Sequence, residues 1–267
     1  MERLLATVRL MHPLPTTLNA LVAAGLTLVA GGEPGRALLA ATTMLGIHAS
    51  IGALNDLLDR DADRGRSEKP LASGRVSDRT ARSVIATGAA IGLGSASLLG
   101  ASSLQIAALG ALLGYLYDAG LKRSWASFLP FSLGVALIPL FAWSAADRVP
   151  PIEILLLSAA AIPGGGALAL QNALADARLD AAVGVRSLVV RLGERAARVA
   201  AAALHLAAMA IVAAIGAPLL PWQLIGGTLI VFGLALSWSG AAETRRRGWE
   251  ISAIGLASCA LGVAGAQ

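Results

Sequence analysis

From Ala37 to Leu57 the chain reads ALLAATTMLGIHASIGALNDL, and it runs on without a break into Leu58-Asp59-Arg60-Asp61-Ala62-Asp63-Arg64. About 20 mostly apolar residues suffice for a helix to cross the hydrocarbon of a bilayer. This run is of that length, yet it ends in carboxylates rather than in a glycine or a proline. It is rich in Ala and Leu and lacks period-two alternation, which argues against a strand. A helix also satisfies its own backbone groups in lipid. Working outward, the same kind of run recurs at Leu14 to Ala30, Ser83 to Gly100, Leu104 to Leu121, Phe128 to Ala145, Ile152 to Leu174, Val199 to Ile215, Gln223 to Ser239 and Ile251 to Ala264. The expected fold is therefore all-α, a polytopic membrane protein of about nine transmembrane helices. It is read as a single domain over residues 1–267 with two weakly repeated halves, about 1–123 and 124–267.

Composition agrees with that reading. Of 267 residues, 56% are hydrophobic and only 14% are charged, with a mean hydropathy of +0.71. This is not the make-up of a soluble domain, a disordered chain, a collagen or a disulfide scaffold. Aromatics supply only 4% while Gly contributes 30 residues, so small side chains must bring the helices together. The one cysteine, Cys259, lies in an apolar run and is read as packing. The net charge of +5 does not point to nucleic acid, because the basic residues sit in short connectors between apolar runs. Arg3 and Arg9 precede the first run, but His12 and Pro13 stand before it and no small-residue cleavage site follows, so it reads as a first span and not a secretory signal. Assigned to alternate sides, only Arg36 and Arg148 of the 21 Lys and Arg residues fall opposite the rest. The positive-inside rule then puts the N-terminus and the acidic connectors in the cytoplasm and the C-terminus outside, in a cell membrane.

Two of the cytoplasmic connectors carry most of the acidic residues. In the first, a continuing helix would place Asn55, Asp59 and Asp63 at i, i+4 and i+8, with Asp56 joining Asp59 and Asp63 on one face of three carboxylates. The second repeats the spacing at Asn172, Asp176 and Asp180 and continues to Gly184, Arg186 and Ser187. Like charges at i, i+4 destabilise a helix by roughly 0.2–0.5 kcal/mol per pair, and a carboxylate at membrane depth costs about 2.5–3.5 kcal/mol. Such clusters call for a compensating ligand. Mg²⁺ fits best, since it prefers oxygen and is usually held by one or two carboxylates together with substrate phosphates. His12, His48 and His205 share no zinc motif and are read as packing. Asp61 falls off the shared face and is read as solvated. Lys69, Lys122 and Arg186 stand out among nearby cations as partners for a metal-held polyanion such as a diphosphate. Four apolar runs separate the two clusters, an even number, which returns both to one side of the membrane.

At these residues the sequence resembles the UbiA-type intramembrane prenyltransferase superfamily. Asn55, Asp56, Asp59 and Asp63 meet the pattern Asn-Asp-x-x-Asp-x-x-x-Asp, and Asp176, Asp180 and Gly184 meet the later Asp-x-x-x-Asp-x-x-x-Gly. Pro70 to Gly74, the pair Tyr117 and Lys122, and Ser187-Leu188 to Gly193 also look like the family, whereas Lys69 stands where the family often has Arg. The resemblance implies helices around a central cavity and two Mg²⁺ ions bridging the acidic motifs to the diphosphate of an allylic isoprenoid. Asp56, Asp59, Asp63, Asp176 and Asp180 would bind metal. Lys69, Lys122 and Arg186 would bind diphosphate, with Lys122 in the catalytic set, while Asn55 and Asn172 would assist and Tyr117 would touch the reacting chain or the diphosphate. The implied partners are a prenyl diphosphate, membrane lipid and an aromatic acceptor, a quinone precursor above all, or a lipid-like one. No nucleic acid is implied, and no oligomeric state is specified.

Two other classes compete. A secondary transporter also uses intramembrane acids and repeated halves, but its acids belong near the midplane, whereas these run into basic connectors. A CDP-alcohol phosphotransferase would carry a longer Asp-x-x-Asp-Gly-x-x-Ala-Arg signature, which is missing.

Overall fold

The computed structural model describes residues 2–182, 184–215 and 221–266. Among them every regular element is helical: α1 (Glu2–Leu10), α2 (Pro13–Val29), α3 (Pro34–Leu58), α4 (Asp78–Leu99), α5 (Ala101–Ala119), α6 (Phe128–Ala145), α7 (Ile152–Ala182), α8 (Leu188–Leu192), α9 (Glu194–Ala214), α10 (Pro221–Leu236) and α11 (Ala242–Ala264), with a 3₁₀ turn at Leu121–Arg123. Each of the nine apolar runs coincides with one of the long helices. By length and composition α3, α4, α6, α7 and α9 can cross a membrane, and α2 and α10 are apolar but shorter. The short charged helix α1 was not expected from hydropathy.

Local chemistry sets the helix ends. Proline occupies the first turn of α2 and α3, where its missing N–H costs nothing. The Ser77 side chain caps α4 by accepting from the Thr80 N–H at 3.1 Å, and Asp78 follows in the first turn. Glu194 plays the same dipole role in α9.

The chain forms two compact units, residues 1–119 with 144–148, and residues 120–143 with 149–267. In the first, α3 packs on α4, α2 and α5, and α1 lies against α3, α2 and α4. Gly46 lets α3 touch α4 backbone to backbone, since a Cβ there would stand 2.6 Å from the Gly88 carbonyl oxygen and the Gly92 nitrogen. On this unit Arg36 donates from Nε to the Ala145 carbonyl and from Nη2 to the Leu99 carbonyl at 3.0 Å, meeting the exposed carbonyls at the ends of α6 and α4. One of the two arginines that break the charge pattern is thus a helix clasp. In the second unit α7 packs on α9 and α11, and α10 pairs with α11. A Cβ at Gly226 or at Gly255 would lie 2.6 Å from the other's carbonyl oxygen.

Burial is inverted relative to a soluble protein. Leu98 and Leu206 are 73% and 72% exposed, while Thr27, Ser50, Gln171 and His205 are buried. Trp125, Trp222 and Trp238 are exposed near helix ends, where amphipathic rings settle at a membrane interface. The apolar outward surface on many long helices is that of a multi-pass membrane protein.

Candidate active site

The first acidic motif does not form the continuous helical face its spacing allows. α3 stops at Leu58, and Asp59 takes the C-cap with φ −92°. The Asp63 N–H still reaches the Asp59 carbonyl at 2.8 Å, but Arg66 N–H then bonds back to Asp63 and Gly65 adopts φ +87°. That left-handed glycine reverses the chain. Asp56 is therefore the one carboxylate of the three on α3 itself, and Asp63 returns to it through the turn.

What draws the turn together is charge. Lys69 Nζ donates to Asp56 Oδ1 at 2.8 Å and lies 3.5 Å from Asp63 Oδ2, while Arg66 Nη1 lies 3.0 Å from Asp63 Oδ1. Asp56 and Asp63 are only 3% and 6% exposed. Burial by itself would lower the Lys69 pKa, but the Asp56 carboxylate, and Asp63 behind it, hold the ammonium above its ordinary range. The Pro70 to Gly74 stretch anchors this arrangement by packing: Leu71 and Val76 are buried with Ala6, Leu10, Ala53, Ala81 and Val84. Asp61 is solvated as expected, paired with Arg64 at the surface.

Three further residues that sequence reasoning does not single out join the polar structure: Asp118 and Gln171 are buried and His12 is half-buried. The His12 Nε2–H donates to Asp56 Oδ1 at 3.1 Å, so His12 is not simply packing. Asp118, 3% exposed in the last turn of α5, accepts from Asn55 Nδ2 at 2.7 Å, and earlier on the same pair of helices Ser50 bonds Tyr115 at 2.7 Å. Asp118 carried the signal that singled out Asp56, a carboxylate ending an apolar run. Tyr117, also in that turn, is half-buried.

In the second unit α7 stays helical to Ala182, so Asn172, Asp176 and Asp180 do occupy successive turns of one face. Leu170, Leu174 and Ala177 occupy another face and are buried with Val189, Ala197 and Ala201. Gln171, the third residue not foreseen, ties α7 inward: its Nε2 donates to Ser237 and Ser252 at 3.0 and 3.1 Å, and its Oε1 pairs with His205 Nε2 at 2.9 Å. Arg178, between the two aspartates, bonds Glu194 at 3.0 Å. After Gly184 (φ +77°) the chain closes with the Val185 N–H on the Asp180 carbonyl. Arg186 is exposed in the connector to α8, and Lys122 is half-buried in the 3₁₀ turn.

The donor set suits a hard cation. Two buried carboxylates share one ammonium, and both of Asp56's donors use Oδ1. Among the described residues no three His, Cys, Asp or Glu side chains converge as a closed metal cage. Mg²⁺ is commonly bound in that way, by one or two carboxylates with the remaining positions left to phosphate and water.

A helical membrane protein with carboxylates gathered at the ends of apolar helices is the class these features define. The model of the UbiA prenyltransferase family matches residues 16–259, and the chain belongs to that family. It is 32% identical over 160 residues to digeranylgeranylglyceryl phosphate synthase of Methanopyrus kandleri, a match covering 59% of this chain and 58% of that protein, so the similarity spans little more than half the relative's length. A UbiA homologue from Aeropyrum pernix K1 has a similar structure, with a TM-score of 0.74 and 22% identity over 93% of this chain and 96% of the other. A UbiA homologue from Archaeoglobus fulgidus bound to GPP and Mg²⁺ gives 0.68 and 20% over 97% and 99%. At those identities the structural likeness speaks to the fold.

Proposed function

We propose that this chain is an integral membrane prenyltransferase that moves an isoprenoid chain from an allylic prenyl diphosphate to an electron-rich acceptor, with Mg²⁺ and release of diphosphate. The observation that carries the reading is the buried Asp56–Lys69–Asp63 cluster at the end of an apolar helix, in a chain of the UbiA prenyltransferase family. The GPP and Mg²⁺ of the Archaeoglobus fulgidus homologue support the donor class and the metal.

Asp56, Asp59 and Asp63 from one motif and Asp176 and Asp180 from the other would hold Mg²⁺, two ions in all. The metal supplies Lewis-acid stabilisation of the charge that develops on the leaving diphosphate. Lys69, Lys122 and Arg186 bind that diphosphate and favour its departure most where water is scarce. Lys69 is poised for this, because its ammonium stays charged at neutral pH and a metal at the carboxylates would free it for an anion. Asn55, held by Asp118, and Asn172 orient the neighbouring carboxylates, and Tyr117 lines the path of the reacting chain. The apolar helices hold the isoprenoid and limit capture of the allylic cation by water. The protein makes nine passes with the N-terminus and both motifs cytoplasmic, and its two repeated halves form one catalytic domain.

For the acceptor, an aromatic quinone precursor suits attack on an allylic cation. The name of the Methanopyrus kandleri relative favours a second reading, transfer to a glyceryl phosphate acceptor. The deciding experiment supplies purified protein with Mg²⁺, prenyl diphosphates of several lengths and acceptors of both kinds, and reads products by mass spectrometry. A prenylated product with equivalent diphosphate establishes the reading and names the acceptor. Absence of any transfer, together with Mg²⁺-independent solute flux in proteoliposomes, overturns it in favour of a transporter.

A further inference from the structure

Immediately before α2 the chain does something costly. His12 adopts φ 50° and ψ 69°, the left-handed region, where the Cβ of an L-residue crowds the following carbonyl oxygen. Strain of this kind persists only where surrounding structure enforces it. Several features do so here. Pro13 fixes the backbone just after it, and the Thr16 hydroxyl donates to the Met11 carbonyl at 2.7 Å while the Thr16 N–H bonds the His12 carbonyl. On the other side, α1 is seated by Ala6 and Leu10, which are 2% and 0% exposed. α3 leaves room for the bend at a single glycine: a Cβ on Gly52 would stand 3.0 Å from the His12 ring and 3.1 Å from the Met11 carbonyl carbon. Gly52 lies one helical turn before Asp56, so the imidazole that crosses it arrives at the carboxylate.

From this geometry we infer that His12 is a positioning residue for Asp56, holding its carboxylate in the rotamer that binds the divalent cation. The inference rests on the metal role proposed for Asp56. His12 and Lys69 both donate to Oδ1, so the carboxylate is clamped by one oxygen, and Oδ2, unpaired among the described residues, is the oxygen offered to a cation. Lys69 is free to follow an anion when substrate arrives, whereas His12 is locked by its own backbone and stays. Outer partners of metal-binding carboxylates matter in general, their removal costing about 10–100-fold in metal affinity or activity. α1 thereby becomes part of the site it precedes, as the anchor of the residue that aims Asp56.

The test uses the full chain in detergent with Mn²⁺ and inorganic pyrophosphate as probe, read by water-proton relaxation enhancement without prenyl substrate. His12→Ala should weaken Mn²⁺ binding about 10-fold or more, with a parallel rise in the Mg²⁺ concentration that half-saturates turnover and an unchanged thermal midpoint in EDTA. His12→Gln, which retains an N–H donor of similar reach, should recover most of the binding. Gly52→Ala, with His12 intact, should reproduce the defect by displacing the ring. Wild-type Mn²⁺ binding in His12→Ala, alongside lost binding in Asp56→Asn, overturns the role of His12 alone. Unimpaired Mn²⁺ binding in Asp56→Asn overturns the metal reading beneath it. Equal loss in His12→Ala and His12→Gln with a lowered thermal midpoint in both makes His12 a packing residue and overturns the inference.

Discussion

Around Asp56 the chain leaves its helix two residues later and turns back on itself, whereas around Asp176 it stays helical to Ala182. The two motifs share an i, i+4, i+8 spacing and are built by different means. In the first, side chains do the arranging: Lys69 and Arg66 pull Asp63 back, and His12 grips Asp56. In the second, the backbone of α7 arranges the carboxylates, and Gln171 with the Leu170–Ala201 core holds the helix from behind. A carboxylate placed by other side chains can shift when they move. One placed by a helix keeps its relation to its neighbour as long as the helix lasts.

The first way to break this comparison is to remove a carboxylate from each motif. Asp56→Asn and Asp180→Asn should each reduce product formation by about 100–1000-fold, the scale of losing a main electrostatic contact in the transition state, while expression and helix content by circular dichroism stay normal. Normal turnover in both would defeat the metal assignment, and loss in only one would show that a single motif suffices.

Proline separates the two designs more directly. Ala177→Pro, buried between Asp176 and Asp180, should cost about 3 kcal/mol and abolish transfer by breaking α7. Ala62→Pro, exposed in the turn of the first motif, should change stability by less than about 1 kcal/mol. Thermal unfolding with a parallel activity assay reads both.

Lys69→Met leaves two buried carboxylates without their shared cation, a loss on the order of 3 kcal/mol when one partner of a buried pair is removed. The thermal midpoint should fall in EDTA and recover with Mg²⁺, by linkage. For the wild type in EDTA the sign is fixed by the raised Lys69 pKa. The stabilisation is fully present below the unfolded value of about 10.4 and is lost only as pH rises through the higher folded value. Stability from this contact should thus be flat from neutrality to about pH 10. A fall between pH 7 and 9 traced to Lys69 would contradict it.

The smallest contrast lies away from both motifs. Gly226→Ala should destabilise by about 1–3 kcal/mol, since its Cβ would enter α11. Gly94→Ala, helical and with open space around it, should stabilise by up to about 1 kcal/mol. Thermal midpoints in one detergent compare them.

Much of this architecture is legible in the residues because membrane helices are announced by their own composition. The run from Ala37 to Ala53 carries no charged carboxylate, lysine or arginine, and it folds as the helix it reads as. The reading that α7 outlasts its apolar segment also holds, since Ala175, Ala177, Ala181 and Ala182 favour helix and no breaker appears before Gly184. The same reasoning fails at Leu58, where no glycine or proline precedes the stop and tertiary ion pairs decide the path. α1 escaped notice because nine residues with Glu2, Arg3 and Arg9 carry too little apolar signal. His12 was unreadable for another reason: its partner is 44 residues away, and what joins them is the missing side chain of Gly52.

Where α3 meets α4 and α10 meets α11, bare α-carbons do the touching. The side chains beside those glycines, Ile47 and Ser50 in one seam and Ile230 and Cys259 in the other, lie against backbone with little room to change rotamer, so each pair should behave as a stiff plank in a fluctuating bilayer. Any loosening of the bundle then falls to the joints made by longer side chains, which are its softer hinges.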